Sequence, residues 1–280
     1  RAGARLIAVG PADSLSGPLA AFGAVQVEPV DRPIVSRPDT LAAPTAAEIQ
    51  RGRQLLDVAV VAHGGATRLR AVKNMVTEGE MLVVAGQNEI SGQFSMVRVH
   101  PSRLVFSNKI FDFESRQVLD GNKGWMLAQA DTATLSEADS AGVASMQNIF
   151  DGDLVNVLRS ALTPGIRVAA RGKERVNGRE CDLIDFVTAR GVPVRLALDS
   201  STRRVTAIDG ALGADLVWHE RRVLMDIRPV GSLMLPFTEQ RFVDGTLLTT
   251  FHVRKASIDA PIDESIFRKP TVRRGRILGQ

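Results

Sequence analysis

After residue 74 the chain is a succession of short alternating runs joined by turn dipeptides, and this pattern restricts the fold more than any other feature. Asn177-Gly178 is the clearest turn, because both residue types tolerate the positive φ of a two-residue hairpin loop. Before it, Ile166, Val168, Ala170 and Val176 face one way and Arg167, Arg171, Lys173 and Arg175 the other. Cys181, Leu183, Ile184 and Phe186 supply the return strand, and Val192, Val194, Leu196 and Leu198 the next. Val205–Ile208 and Leu216–Ile227 continue the series, and Asp244-Gly245 turns Phe237–Val243 back into Thr246–Ile258. Gly92–Val99 and Arg103–Phe113 read as strands with apolar residues on both faces, as in a sheet covered on both sides. No β-α-β alternation follows residue 74. The prediction is an α+β fold whose antiparallel sheet is strongly curved, and either closes on itself or wraps something.

Two helical stretches accompany the strands. Thr45 and Glu48 form a capping box. Ile49, Leu55, Leu56, Ala59 and Val60 then recur at helical spacing until Gly64-Gly65, and a short second turn carries Leu69 and Val72. From Met75 the period changes to two, with Met75, Thr77, Met81 and Val83 on one face. The second stretch, 136–162, carries one stripe of Met146, Ile149, Phe150, Leu154, Leu158 and Leu162, with Gly152 as a break and Pro164-Gly165 as its end.

Composition removes several function classes. The 44% of hydrophobic residues suffices for a core, and there is no 18-residue apolar run of the kind that crosses a bilayer. Five bases and no acid lie in 268–280, so the remainder carries −1 of the net +4. With no Tyr and no basic face interleaved with aromatics, nucleic-acid binding is not expected. The one cysteine, Cys181, alternates inward with Leu183 and reads as a buried small hydrophobe. His63, His100, His219 and His252 do not make the H-x-x-E-H of a zinc site, and His219-Glu220 on one strand would point to opposite faces. Acidic residues read as lying at turns and on exposed strand faces. No catalytic residue and no metal site is expected in these residues.

The run Gly52-Arg53-Gln54-Leu55-Leu56, then Ala62-His63-Gly64-Gly65, then Leu69–Lys73 resembles the entry to a LolA-like domain. It is similar to the lipoprotein-carrier-like domain behind some bacterial insulinase/pitrilysin-type zinc peptidases. Asp120–Trp125 (D-G-x-x-G-W), Arg228–Phe237 (P-V-G…L-P-F) and Pro261–Phe267 (P-x-D-x-x-F) resemble later motifs of the same family, in order. Residues 4–27 resemble the strand–helix–strand ending of the peptidase's non-catalytic half. The resemblance implies a C-terminal fragment of such a peptidase, divided into a small β-α-β remnant (1–32), a Pro-rich linker (33–45), a LolA-like domain (46–270) and a basic tail (271–280). It further implies an unclosed LolA/LolB-like barrel with helices covering its concave side, and a place in the periplasm or cell envelope. Zinc would belong only to the missing peptidase part, with no cofactor in this fragment.

The implied activity is non-catalytic binding of a hydrophobic ligand such as an acyl chain. Large apolar side chains concentrate at Phe94, Met96, Leu104, Phe106, Phe111, Trp125, Phe150 and Trp218, the candidate lining. Trp125 also reads as a core anchor behind a tight hairpin. The alternative is an accessory structural domain that positions the peptidase or its substrate, with a filled interior. Expected partners are the ligand, the upstream peptidase domain and, peripherally, the membrane.

Overall fold

The computed structural model describes residues 43–86, 88–212, 218–273 and 276–278. The remnant expected over 1–32 and nearly all of the linker lie outside the described residues.

Helix α1 (Ala46–Ala62) starts where the capping box places it: the Glu48 N–H donates to Thr45 Oγ1 at 3.2 Å, and the Thr45 N–H donates to Glu48 Oε2 at 2.7 Å. It ends at His63, followed by Gly64 (φ 113) and Gly65 (φ 88). Both angles are left-handed or beyond, which side chains with a Cβ resist. Helix α2 (Ala66–Ala71) then leads into the sheet.

The strands are β1 (Asn74–Ala85), β2 (Asn88–Val99), β3 (Arg103–Ile110), β4 (Phe113–Asp120), β5 (Lys123–Gln129) and β6 (Ala133–Glu137), then β7 (Val168–Val176), β8 (Arg179–Val187), β9 (Pro193–Asp199), β10 (Val205–Leu212), β11 (Trp218–Val230), β12 (Leu233–Val243) and β13 (Thr246–Ile258). All pair antiparallel in one 13-stranded sheet of order β6-β5-β4-β3-β2-β1-β13-β12-β11-β10-β9-β8-β7. It is a curved, unclosed sheet made of two meanders that meet where β1 pairs β13, with Met81 opposite Phe251. The turns form where the sequence requires them: Asn177 (φ 48) with Gly178 (φ 78), and Asp244 (φ 47) with Gly245 (φ 79).

Two expectations are corrected. Arg103–Phe113 is not one strand, because the chain reverses at Phe111-Asp112 and pairs β3 with β4. Phe111 takes φ 52 there, a conformation usually left to Gly, Asn or Asp, so nothing in its residue type announces the turn. The helical stretch expected over 136–162 begins only at Ser140, because Ala133–Glu137 is strand β6. It breaks at Gly152 into α3 (Ser140–Asp151), capped by Asp139, and α4 (Leu154–Ala161), capped by Asp153.

The helices lie on one face of the sheet. Leu55, Leu56, Ala59 and Val60 of α1 pack with Leu154, Val155 and Leu158 of α4 against Ile184, Leu196, Leu198 and Leu224. The approach of α1 to β7 is so close that a Cβ on Gly52 would lie 2.5 Å from the Val168 carbonyl oxygen. On the other face, Trp125 packs with Val105, Val118 and Phe267, and its Nε1 donates to the Phe267 carbonyl at 3.4 Å. Thr271–Arg273 (β14) and Arg276–Leu278 (β15) pair as a short ladder in the stretch expected as a tail, and Val272 and Ile277 join the same cluster.

His63 ties α1 to the sheet. Its Nδ1–H donates to the Met234 carbonyl at 2.8 Å, and its Nε2 accepts from the Val205 N–H at 3.0 Å. Only the neutral ring can do both. Burial, aided by the charge of Arg204 and opposed by the Met234 bond, holds its pKa below the ordinary value. The unfolded chain therefore binds more protons below about pH 6.5, and stability falls as pH drops through that range. We expect the unfolding free energy from urea titration to fall between pH 7 and pH 5 at no more than about 1.4 kcal/mol per pH unit from this group, and His63→Gln to remove that part. The difference between the two proteins separates His63 from His100, lowered to about 4 by burial, and from Asp209, raised to about 6 by burial and so acting in the opposite sense. Identical pH profiles for the two proteins would refute this assignment.

Candidate ligand-binding face

The helix-bearing face holds a second apolar cluster, beneath α3. Phe94 and Met96 of β2, Leu104 and Phe106 of β3, and Phe150 of α3 come together there. Met81, Leu119, Met146 and Phe251 complete it. Phe251 is the hub, meeting the Phe94 ring edge-on at 4.9 Å and the Phe106 ring at 6.3 Å. Met81 could have been chosen from its period-two face. Phe251 could not, because only the β1–β13 pairing brings it here. The cluster is packed: Leu104 and Leu119 have no accessible surface and Met96 keeps 2%.

Phe111 and Trp125 do not join it. Phe111 stands in the β3–β4 turn, 77% exposed. Trp125 lies on the opposite face, because Val118 and Trp125 are register partners while Leu119 pairs with Gly124. Trp218 opens β11 opposite Leu212, and its side chain lies outside what the structure describes. An exposed ring at positive φ has strain and little packing to lose. Phe111→Asn should therefore raise stability by about 0.5–1 kcal/mol, read from the thermal or urea midpoint; a loss would show that the ring is packed.

Between the two inner clusters runs a belt of buried charge, whose carboxylates were expected at turns or on exposed strand faces. Arg222 Nε donates to Glu220 Oε2 at 2.7 Å, and its Nη2 reaches the Asn148 carbonyl at 3.4 Å. Arg241 Nε donates to Glu239 Oε1 at 2.6 Å, and its guanidinium lies 4.7 Å from the Phe251 ring centre. Arg98 Nη1 is 3.6 Å from Asp153 Oδ2. Burial alone would raise the Glu239 carboxyl, but Arg241, Arg222 and Arg98 outweigh it and hold the pKa below the ordinary value. Three guanidiniums and three carboxylates leave the belt neutral. Even so, Arg98 Nε and Arg222 Nη1 are buried with no hydrogen-bond partner among the described residues.

Beyond the belt, between α3, α4 and β8–β11, lies a cavity of about 190 Å³. Val157, Val192, Val194 and Ile208 give it apolar walls; Asn156 and Arg222 are among its polar groups. Arg190, on the β8–β9 connection, closes over it by donating to Gln147 Oε1 at 2.8 Å and pairing with Asp151. A larger depression of about 510 Å³ over β1–β5 is lined by charges already paired with one another, such as Lys109 with Glu114 and Arg254 with Glu80. Among the described residues, no group of three or more His, Cys, Asp or Glu side chains comes together as a metal site.

The sequence matches no family model and no curated protein. Its structure is similar to that of a DUF1329 family protein from Desulfovibrio piger, with TM-score 0.53 and 11% identity. It is also similar to a putative outer membrane lipoprotein-sorting protein domain from Vibrio parahaemolyticus (TM-score 0.51, 7% identity) and to a LolA superfamily protein from Nitrosomonas europaea (TM-score 0.50, 10% identity). Each likeness covers 78% of this chain and 97% of the other. The fold is therefore LolA-like: a large, curved, unclosed antiparallel sheet carrying its helices on one face.

Proposed function

We propose that this chain is a non-catalytic binding module for a hydrophobic ligand, an acyl chain that lies on the Met81–Phe94–Met96–Leu104–Phe106–Phe251 surface once α3 is displaced. The observation that carries this reading is the contrast between the two inserted helices. Helix α3 buries only Met146 and Phe150 fully, whereas the shorter α4 buries Leu154, Val155, Asn156, Val157, Leu158 and Ala161. Helix α4 is core, and α3 is a cover.

The magnitudes allow the exchange. Uncovering Met146 and Phe150 costs about 3–6 kcal/mol, to which the half-buried Val143 and Ile149 add, while an acyl chain of about fifteen methylenes at about 0.8 kcal/mol each offers about 12 kcal/mol before ordering costs. The LolA-like fold supports the reading, and two of the similar structures are described as a lipoprotein-sorting domain and a LolA superfamily protein. On that basis the periplasm or cell envelope is the proposed location. An upstream peptidase partner, which would hold the zinc, rests on the sequence motifs alone.

The test is displacement of a fluorescent fatty acid, with native mass spectrometry of the gently purified full chain. Saturable displacement, with an added mass that is lost on denaturation, is the expected result. A bare mass and no displacement after incubation with lipid would sink the reading. The close packing under α3 favours a second reading, an accessory domain with a filled interior, and that outcome would select it.

A further inference from the structure

Two features mark the cavity beside the belt. Gly210 sits inside β10 without a positive φ, and among the described residues the nearest heavy atom to a Cβ built on it is the Pro193 carbonyl oxygen at 4.0 Å. Glycine in a strand interior weakens the strand, so one that no described neighbour demands marks room kept open for something else. The second feature is Arg222, 2% exposed, which lines the cavity and has Nη1 unpartnered. Its guanidinium lies flat against the α3–α4 junction, where a Cβ on Gly152 would meet it at 2.3 Å. An unpaired buried donor costs about 1–3 kcal/mol, and an acceptor arriving when α3 moves would recover it.

Charge decides the kind of acceptor. Glu220 already pairs with Arg222, Asp153 with Arg98, Glu239 with Arg241, and Asp151 with Arg190. A carboxylate would bring an uncompensated negative charge into this low-dielectric space beside Glu220, which is costly. A carbonyl or hydroxyl oxygen accepts the same hydrogen bond and adds no charge. Size agrees: a cavity of about 150 Å³ holds benzene, so about 190 Å³ takes a head of roughly eight heavy atoms.

Resting on the hydrophobic-ligand reading, we infer that this cavity is the head-group site, and that it selects an uncharged, oxygen-bearing head such as a glycerol ester over a free carboxylate. The chain runs beneath α3 on the Phe251 side of the belt, and the head lies on the Gly210 side.

The test is titration of the full chain with 1-palmitoylglycerol and with palmitate at pH 8, read by native mass spectrometry. The wild type should bind the glycerol ester at least tenfold more tightly. Gly210→Leu fills the cavity from the position opposite Glu220 on β11 and changes no charge; it should weaken the ester at least tenfold and leave palmitate within twofold. Gly210→Ala, a smaller intrusion, should weaken the ester about threefold and guards against misfolding of the larger variant. Equal binding of the two ligands, tighter palmitate binding, or equal loss of both in Gly210→Leu would overturn the head-group assignment while leaving the hydrophobic-ligand reading in place. Binding of neither ligand by the wild type would overturn both.

Discussion

Glu220→Ala should lower stability by about 3–5 kcal/mol, because it leaves the buried Arg222 guanidinium without its carboxylate. Taking a charge out of water is tolerated only with a partner, and the belt supplies one carboxylate to each arginine. Urea unfolding followed by tryptophan fluorescence reads the loss. The double variant Glu220→Leu with Arg222→Met should recover most of it, since an apolar pair of similar volume has no charge to strand. Equal losses in the single and the double variant would mean that packing, not charge, holds this part of the sheet.

Gly52→Val should cost about 3 kcal/mol, at the upper end of what overpacking does. The first added carbon would already lie within 2.5 Å of the Val168 carbonyl and 2.7 Å of Ala169 backbone, and backbone cannot swing aside as a side chain can. The helix must lift from β7, loosening Leu55, Leu56 and Ala59 from the core. Asp57→Ala, on the exposed side of the same helix, should stay within about 0.5 kcal/mol. A tolerated Gly52→Val would show that α1 is free to shift.

Much of this fold is written locally in the chain. The capping box at Thr45, the glycine stop at Gly64-Gly65, the dipeptides Asn177-Gly178 and Asp244-Gly245 and the period-two runs between them each specify their own backbone. Phe111 and Arg203 are local exceptions, turn residues of the wrong type. What was not legible depends on partners distant in sequence. The choice of faces at β3–β5 is one case: with apolar residues on both sides, alternation separates Trp125 from Leu104 but cannot tell which side the helices cover. The charged belt is another. Glu220, Arg222, Glu239 and Arg241 sit in polar runs with His219, Arg221, Thr238 and Gln240, where no alternation marks an inner face, and only the pairing of β11 with β12, under the α3–α4 junction, turns them inward. The candidate surface was therefore readable strand by strand, and its hub, Phe251, was not.

The meeting of β1 with β13 has a consequence for biosynthesis. The two strands at the middle of the sheet are among the first and the last to be made, and Glu80 and Arg254, which pair across the junction, are 174 residues apart. At about 5–20 residues per second, the earlier strand waits roughly 10–35 s for its neighbour. During that interval an unpaired edge can recruit a strand from another nascent chain. The junction carries its own protection: Glu78 and Glu80 lie on one edge, Lys255 and Arg254 on the other, and they pair once the strands meet. Two copies of the early edge repel each other, and the late edge attracts the early one.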